Sequence, residues 1–216
     1  MKKTLKWNIA QKAELRWWEN YLKVKDVEQY HIWKKKYWQK LLDLIALTCP
    51  VSQDMHVLDA GCGPSGIFMN LEKCHVFALD PLLDAYDKNL QHFKKSNFPY
   101  VKFYSMPLEK FSSGKKYDIV FCMNAINHVS DLKGCYDLLA DHVKPGGKLV
   151  VTIDAHNYSF FKNLFRIIPG DILHPHQYDL EEYEAFLTDR NFKILQSENL
   201  KQKFFFDHYI QVAEKK

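Results

Sequence analysis

The run Val57-Leu58-Asp59-Ala60-Gly61-Cys62-Gly63-Pro64-Ser65-Gly66 constrains this chain more than any other stretch. A short apolar strand, with a carboxylate near its end, enters a turn carrying Gly61, Gly63 and Gly66. Glycine has no Cβ, so it adopts positive φ and lets backbone amides approach a bound molecule, as a strand-to-helix turn facing a ligand requires.

From Met55 onward, apolar runs alternate with helical patterns. The spacing predicts strands over 55–60, 75–80, 101–105, 117–122 and 147–154, and helices over 65–73, 82–95 and 131–142. Lys144-Pro145-Gly146-Gly147-Lys148 is a turn signal ahead of the strand Leu149-Val150-Val151. A further helix starts near Asp179 and ends over Thr188 to Asn191. Phe192 to Leu200 and Phe204 to Val212 flank Lys201-Gln202-Lys203 as an antiparallel pair. The expected fold is therefore α/β: a doubly wound, mostly parallel sheet closed by a C-terminal antiparallel hairpin.

Residues 9–47 read as two amphipathic helices broken near Val24 to Val27, with Trp17, Trp18, Tyr21 and Leu22 on one face and Trp33, Tyr37, Trp38, Leu41, Leu42 and Ile45 on the other. They pack onto the sheet or form a lid over a substrate. With 216 residues, 47% apolar, the chain builds one substantial core, so residues 1–50 are expected as a helical cap and 51–216 as the single domain. The charge is uneven: residues 1–48 hold 11 Lys or Arg against 5 Asp or Glu, leaving the remainder at about −2.

Met1 to Lys6 is basic, but no apolar signal region follows and no run approaches a membrane span, so a soluble, cytoplasmic protein is expected. Cys49, Cys62, Cys74, Cys122 and Cys135 are odd in number and form no Cys-x-x-Cys pair, which argues against a disulfide framework and a zinc site.

Gly61-x-Gly63-x-x-Gly66 also fits the dinucleotide fingerprint, with Asp80 where a ribose-binding acid belongs. Asp59 tips the balance, because a negative charge before the turn repels a pyrophosphate but suits a ligand bearing an ammonium and a sulfonium. Pro64 removes one amide donor. The stretch resembles the first motif of the class I S-adenosylmethionine-dependent methyltransferases, Asp-x-Gly-x-Gly-x-Gly, here closed by Ser65-Gly66. The resemblance covers about three quarters of the chain, from Val57 to the C-terminus.

That resemblance implies a seven-stranded sheet with six strands in one sense and one reversed. It implies S-adenosylmethionine as cofactor, with Asp59 anchoring the loop near the methionine amino group and Gly61, Cys62 and Gly63 along the carboxypropyl chain. Asp80 would accept from both ribose hydroxyls, with Pro81 behind it opening the next helix. Where the family commonly has an acid for the adenine amine, this chain has Ser105. Ser105 serves there, or Glu109 reaches back, or the Met106 and Leu108 backbone does the work. After the fourth strand come Met123-Asn124-Ala125-Ile126-Asn127-His128. Asn124 and Ala125 are expected against the cofactor, and His128 either as a general base or packed on the cofactor.

An acceptor pocket is expected from Trp38 and from Tyr158, His174 and His176 in the long segment after the fifth strand. His174-x-His176 with Asp171 matches no familiar metal site, so no metal is expected. The reading is a methyltransferase for a small molecule, with no nucleic acid or membrane partner. Its rivals are an RNA methyltransferase using Lys34-Lys35-Lys36 among the aromatics, a nicotinamide-dependent oxidoreductase, and a noncatalytic binding module.

Overall fold

The structure, a computed structural model, describes residues 5–156, 178–202 and 206–216. Its centre is a seven-stranded sheet: β1 (His56–Ala60), β2 (His75–Leu79), β3 (Val101–Tyr104), β4 (Tyr117–Cys122), β5 (Val143–His156), β6 (Phe192–Lys201) and β7 (Phe206–Lys215). The order across the sheet is β3-β2-β1-β4-β5-β7-β6. The pairs β1–β2, β1–β4, β2–β3 and β4–β5 are parallel, and β7 runs antiparallel to both β5 and β6. Six strands thus share one direction and one is reversed, as the resemblance implied.

Strand alternation sorts the core into two layers, because successive side chains point to opposite faces. Val57, Val76, Ala78, Ile119, Phe121 and Val150 face one layer; Leu58, Ala60, Phe77, Leu79, Val120 and Leu149 face the other. The first layer is covered by α1 (Leu5–Lys23), α2 (Val27–Leu44) and α3 (Leu83–Asn89). The second is covered by α4 (Leu132–His142) and α5 (Leu180–Thr188). Leu22, Tyr30, Trp38, Leu41 and Ile45 are buried in the same cluster as the β1 and β2 side chains, so the N-terminal helices belong to the sheet's core. Asp26 caps α2 by accepting from the Gln29 N–H at 2.9 Å, which explains the break between the two helices.

Three elements differ from expectation. The helix expected over 65–73 is only a 3-10 turn, Ile67–Asn70, whose Phe68 N–H donates to Oδ2 of Asp59 at 3.1 Å and so ties the segment to the strand end. The helix expected over 82–95 stops at Asn89, where Asp87 draws the chain round: its carboxylate accepts from the Lys95 N–H at 2.8 Å and its carbonyl from the Lys94 ammonium. Lys144 to Gly147 does not precede β5 but lies inside it as an irregularity, where the register against β4 shifts between Tyr117 and Ile119 and Gly146 takes φ +74°.

Among the described residues no helix is long and apolar enough to cross a membrane.

Candidate active site

The C-terminal ends of β1, β2 and β4 converge on one cavity of about 290 Å³, near the lower end of the range for small-molecule sites. Its floor is the turn after β1. Gly61 and Gly63 adopt φ of +75° and +57°, which side chains rarely tolerate. A Cβ on Gly61 would lie 2.3 Å from that of Ala125, so the turn after β1 and the turn after β4 touch where only glycine fits.

Asp80, buried at the end of β2, spans the floor. Its Oδ2 accepts from the Gly63 N–H at 3.1 Å and its Oδ1 from the Leu82 N–H at 2.8 Å. Burial pushes its pKa up to about 7, and the charge of Glu14 adds to the rise while the two backbone bonds oppose it. Asp59 lies beneath the turn, outside the cavity lining. Burial raises it to about 7 as well, against the amides of Phe68 and Ile67 and the charge of Lys34. Its other oxygen, Oδ1, is buried with no hydrogen-bond partner among the described residues.

One face of α2 grips this turn with residues spaced four apart. The Tyr30 hydroxyl and Ser65 Oγ share a 2.8 Å hydrogen bond, and the Trp38 indole donates to the Ser65 carbonyl at 2.9 Å. Between them stands Lys34, whose ammonium lies 4.8 Å from the Trp38 ring centroid and 5.1 Å from that of Tyr37. Desolvation lowers its pKa to about 8, with Asp59 opposing.

Gly61, Cys62, Gly63, Asp80, Pro81, Leu108, Asn124, Ala125, His128 and Trp38 all line the cavity. The Cys62 thiol is held well above its ordinary pKa by burial and by the charges of Asp59 and Asp80, so it stays protonated. Asn124 has φ +54° and donates its N–H to Thr152 Oγ1 at 2.7 Å, which fixes the turn beneath His128. His128 is exposed at the rim, in the short turn Ile126–His128.

Ser105 and Met106 do not line the cavity; Ser105 Oγ accepts from Lys95 Nζ at 3.2 Å, and the lining continues instead through Pro107, Leu108 and Glu109. Glu109 is engaged by Ser130, accepting from its N–H at 3.0 Å and its hydroxyl at 2.9 Å. Tyr158, His174 and His176 lie outside the described residues.

Sequence reasoning reached the opposite wall only through the lid reading of the tryptophans, and it did not place Gln11, Glu14 or Lys34 there. Trp7, Gln11, Glu14 and Trp18 of α1 line the cavity, as does Lys34. The available signal was Gln11 and Glu14 standing within a stripe of tryptophans at helical spacing.

A family profile described as "Methyltransferase domain" matches residues 30–197. The chain belongs to this methyltransferase family. Among curated proteins it is similar to the ubiquinone biosynthesis O-methyltransferase of Rickettsia bellii, 30% identical over 101 residues, covering 46% of this chain and 42% of that one. The corresponding Rickettsia prowazekii protein is 27% identical over 158 residues, or 68% and 62% of the two chains. The chain thus spans less than two thirds of the length of these relatives. Among solved structures, an S-adenosylmethionine-dependent methyltransferase from Clostridium acetobutylicum superposes with a TM-score of 0.64 over 96% of this chain and 99% of that one, at 14% identity. The resemblance drawn from the glycine turn therefore holds at the level of family and fold.

Proposed function

We propose that the protein is an S-adenosylmethionine-dependent methyltransferase acting on a small-molecule acceptor, with residues 1–50 as a cap over the domain 51–216. The observation that carries this reading is the Gly63–Asp80 hydrogen bond at the cavity floor. It presents backbone amides and a buried carboxylate side by side, complementary to an amino acid joined to a ribose. Each Asp80 oxygen keeps a free lone pair for a ribose hydroxyl. The buried charge of Asp59 beneath the turn also favours a cofactor with an ammonium group lying against that turn.

In this reading Asp80 holds the ribose, and Gly61, Cys62 and Gly63 meet the amino-acid end through their backbone. Pro81 and Leu108 flank the adenine, on a turn that Ser105 and Met106 brace from outside the lining. Asn124 and Ala125 back the reacting end. When bound, the cofactor supplies a methyl group activated by a positively charged sulfur. The protein's part is to align an acceptor and keep water out. His128, exposed at the rim, takes the proton from an acceptor hydroxyl or ammonium, and Trp38 supplies an aromatic wall.

An oxygen acceptor agrees with the O-methyltransferase names of the Rickettsia relatives. A nucleic-acid acceptor is disfavoured by the lysine run: Lys34 turns to the cavity, and Lys35 pairs with Glu72 at 2.8 Å.

The test is thermal unfolding with added ligand, since a molecule that binds only the native state raises Tm. S-Adenosylmethionine and S-adenosylhomocysteine are expected to raise it and NAD to leave it unchanged; a shift with NAD alone would overturn the reading.

A further inference from the structure

We propose that Glu14 is the charge-sensing residue of the donor site: presented by α1 from the wall opposite the glycine turn, its carboxylate recognises the positive charge that the donor carries before methyl transfer and lacks afterwards. This rests on the reading of the cavity as an S-adenosylmethionine site.

Glu14 sits on a helix face it would not occupy for packing alone. Trp7, Gln11, Glu14 and Trp18 face the cavity together, and a carboxylate among indoles is costly unless a positive charge or strong donors face it. The Tyr86 hydroxyl donates to its Oε1 at 3.3 Å, a long contact to a neutral group. No Lys or Arg forms an ion pair with it among the described residues. Burial accordingly raises its pKa, with His128, Tyr86 and Trp18 opposing. Asp80 is close enough for the negative charge of Glu14 to raise its pKa too. Two like charges therefore share the cavity, a repulsion that a bound cation relieves.

Position decides which cation. Asp80 marks the ribose, and His128 follows β4 on the acceptor side. Glu14 lines the same cavity as both, presented from α1 with the Tyr86 hydroxyl 3.3 Å from its Oε1. The neighbouring Trp18 comes within 3.7 Å of where a Gly63 Cβ would be, which ties the same helix face to the turn. In the proposed ligand, the atom between ribose and acceptor is the sulfur.

The chemistry then gives the residue its consequence. As the methyl group moves, the acceptor's lone pair forms the new bond to carbon. The C–S pair stays on sulfur, which becomes a neutral thioether, and an acceptor proton passes to a base or to water. The attraction of Glu14 for the ligand disappears in the same event. Glu14 thus sorts donor from spent product, and it opposes product inhibition.

The experiment is titration calorimetry of wild type and Glu14→Gln with three ligands: S-adenosylmethionine, sinefungin, whose protonated amine replaces the charged sulfur, and S-adenosylhomocysteine, which is neutral there. Glu14→Gln is expected to weaken the two cationic ligands about tenfold, as for one close charge pair, and to leave the neutral one within about twofold. Glu14→Asp keeps the charge on a shorter arm and is expected to lose only part of the preference; it also serves if the Gln variant does not fold. Equal loss for all three ligands, or unchanged affinities in both variants, overturns the role of Glu14. Failure of the wild type to bind any of the three overturns the reading of the cavity itself.

Discussion

Gly63 donates its backbone N–H to Oδ2 of Asp80 over 3.1 Å, so the turn after β1 and the acid ending β2 hold each other. The second oxygen is fixed by the Leu82 N–H at 2.8 Å. A carboxylate restrained at both oxygens loses little freedom on binding, which is the physical meaning of a preorganised site. Asp80→Asn keeps the shape but turns one acceptor into a donor facing a donor. It is expected to weaken S-adenosylhomocysteine by roughly tenfold or more, the order of one or two kcal/mol for a buried unsatisfied group. Calorimetry on the folded variant checks this, and wild-type affinity would remove Asp80 from the ribose site.

The same residue sets a pH dependence with two opposite signs. Burial raises Asp59 and Asp80 from 3.8 to about 7 in the folded protein. The folded state therefore binds protons more tightly, and the stability these groups contribute is fully present below the unfolded pKa and lost as pH rises through about 7. Ligand binding runs the other way, because Asp80 must be ionised to accept from two hydroxyls. The rise in Tm caused by S-adenosylhomocysteine is expected to grow between pH 6 and 8 by roughly the fraction of Asp80 ionised, and to flatten in Asp80→Asn. A ligand-induced rise that shrinks with pH in wild type contradicts it.

Gly61 and Ala125 are coupled through space. Gly61→Ala puts two methyl carbons 2.3 Å apart at a φ of +75°. Left-handed backbone and overpacking together are expected to cost on the order of 2–4 kcal/mol. Ala125→Gly removes the clash but not the backbone strain, so the double variant should recover about half of the loss. Denaturant unfolding of the four proteins measures the coupling. Additive effects would mean that the two turns do not touch.

Legibility followed locality. The strands could be read because each carries its own alternation of faces, and the glycine turn with Asp80 because both lie at strand ends. The helix expected after the turn shortened to one 3-10 turn, tied to the strand end by the bond from the Phe68 N–H to the Asp59 carboxylate, a pairing that local periodicity does not show. Ser105 was expected at the cavity from its place after β3. The Met106 N–H instead bonds back to the Tyr104 carbonyl at 3.0 Å, and the lining passes to Leu108. Glu14 and Lys34 were hidden for a different reason: helical periodicity shows which residues share a face, but not which part of the sheet that face covers.

Gln211 tests the core outside the cavity lining. It is fully buried in β7, and among the described residues neither its amide oxygen nor its nitrogen has a partner. Replacing both unsatisfied groups with an apolar chain of similar length, Gln211→Met, is expected to stabilise the protein by about 1–2 kcal/mol and raise Tm by roughly 2–6 °C. Calorimetric unfolding decides, and a lower Tm would show that the amide is satisfied in solution.

Lys34 gives the sharpest test of how the cofactor's amino-acid end is held. Its ammonium lines the cavity against the Trp38 ring at 4.8 Å, and the buried Asp59 acts on it from beneath the turn. A cation above the turn and an anion below it complement the carboxylate and ammonium of one amino acid. Lys34→Met keeps the length and apolar stem but removes the charge. It is expected to weaken S-adenosylhomocysteine about tenfold or more, as for a charge-assisted bond, while 5′-methylthioadenosine, which lacks the amino-acid end, binds as to wild type. Because the Lys34 pKa is lowered to about 8, the wild-type affinity for S-adenosylhomocysteine should also fall as pH rises through that value, and Lys34→Arg should remove the fall. Equal loss for both ligands in Lys34→Met would place the lysine's role in the packing of α2. No loss for either would leave the cation to the acceptor.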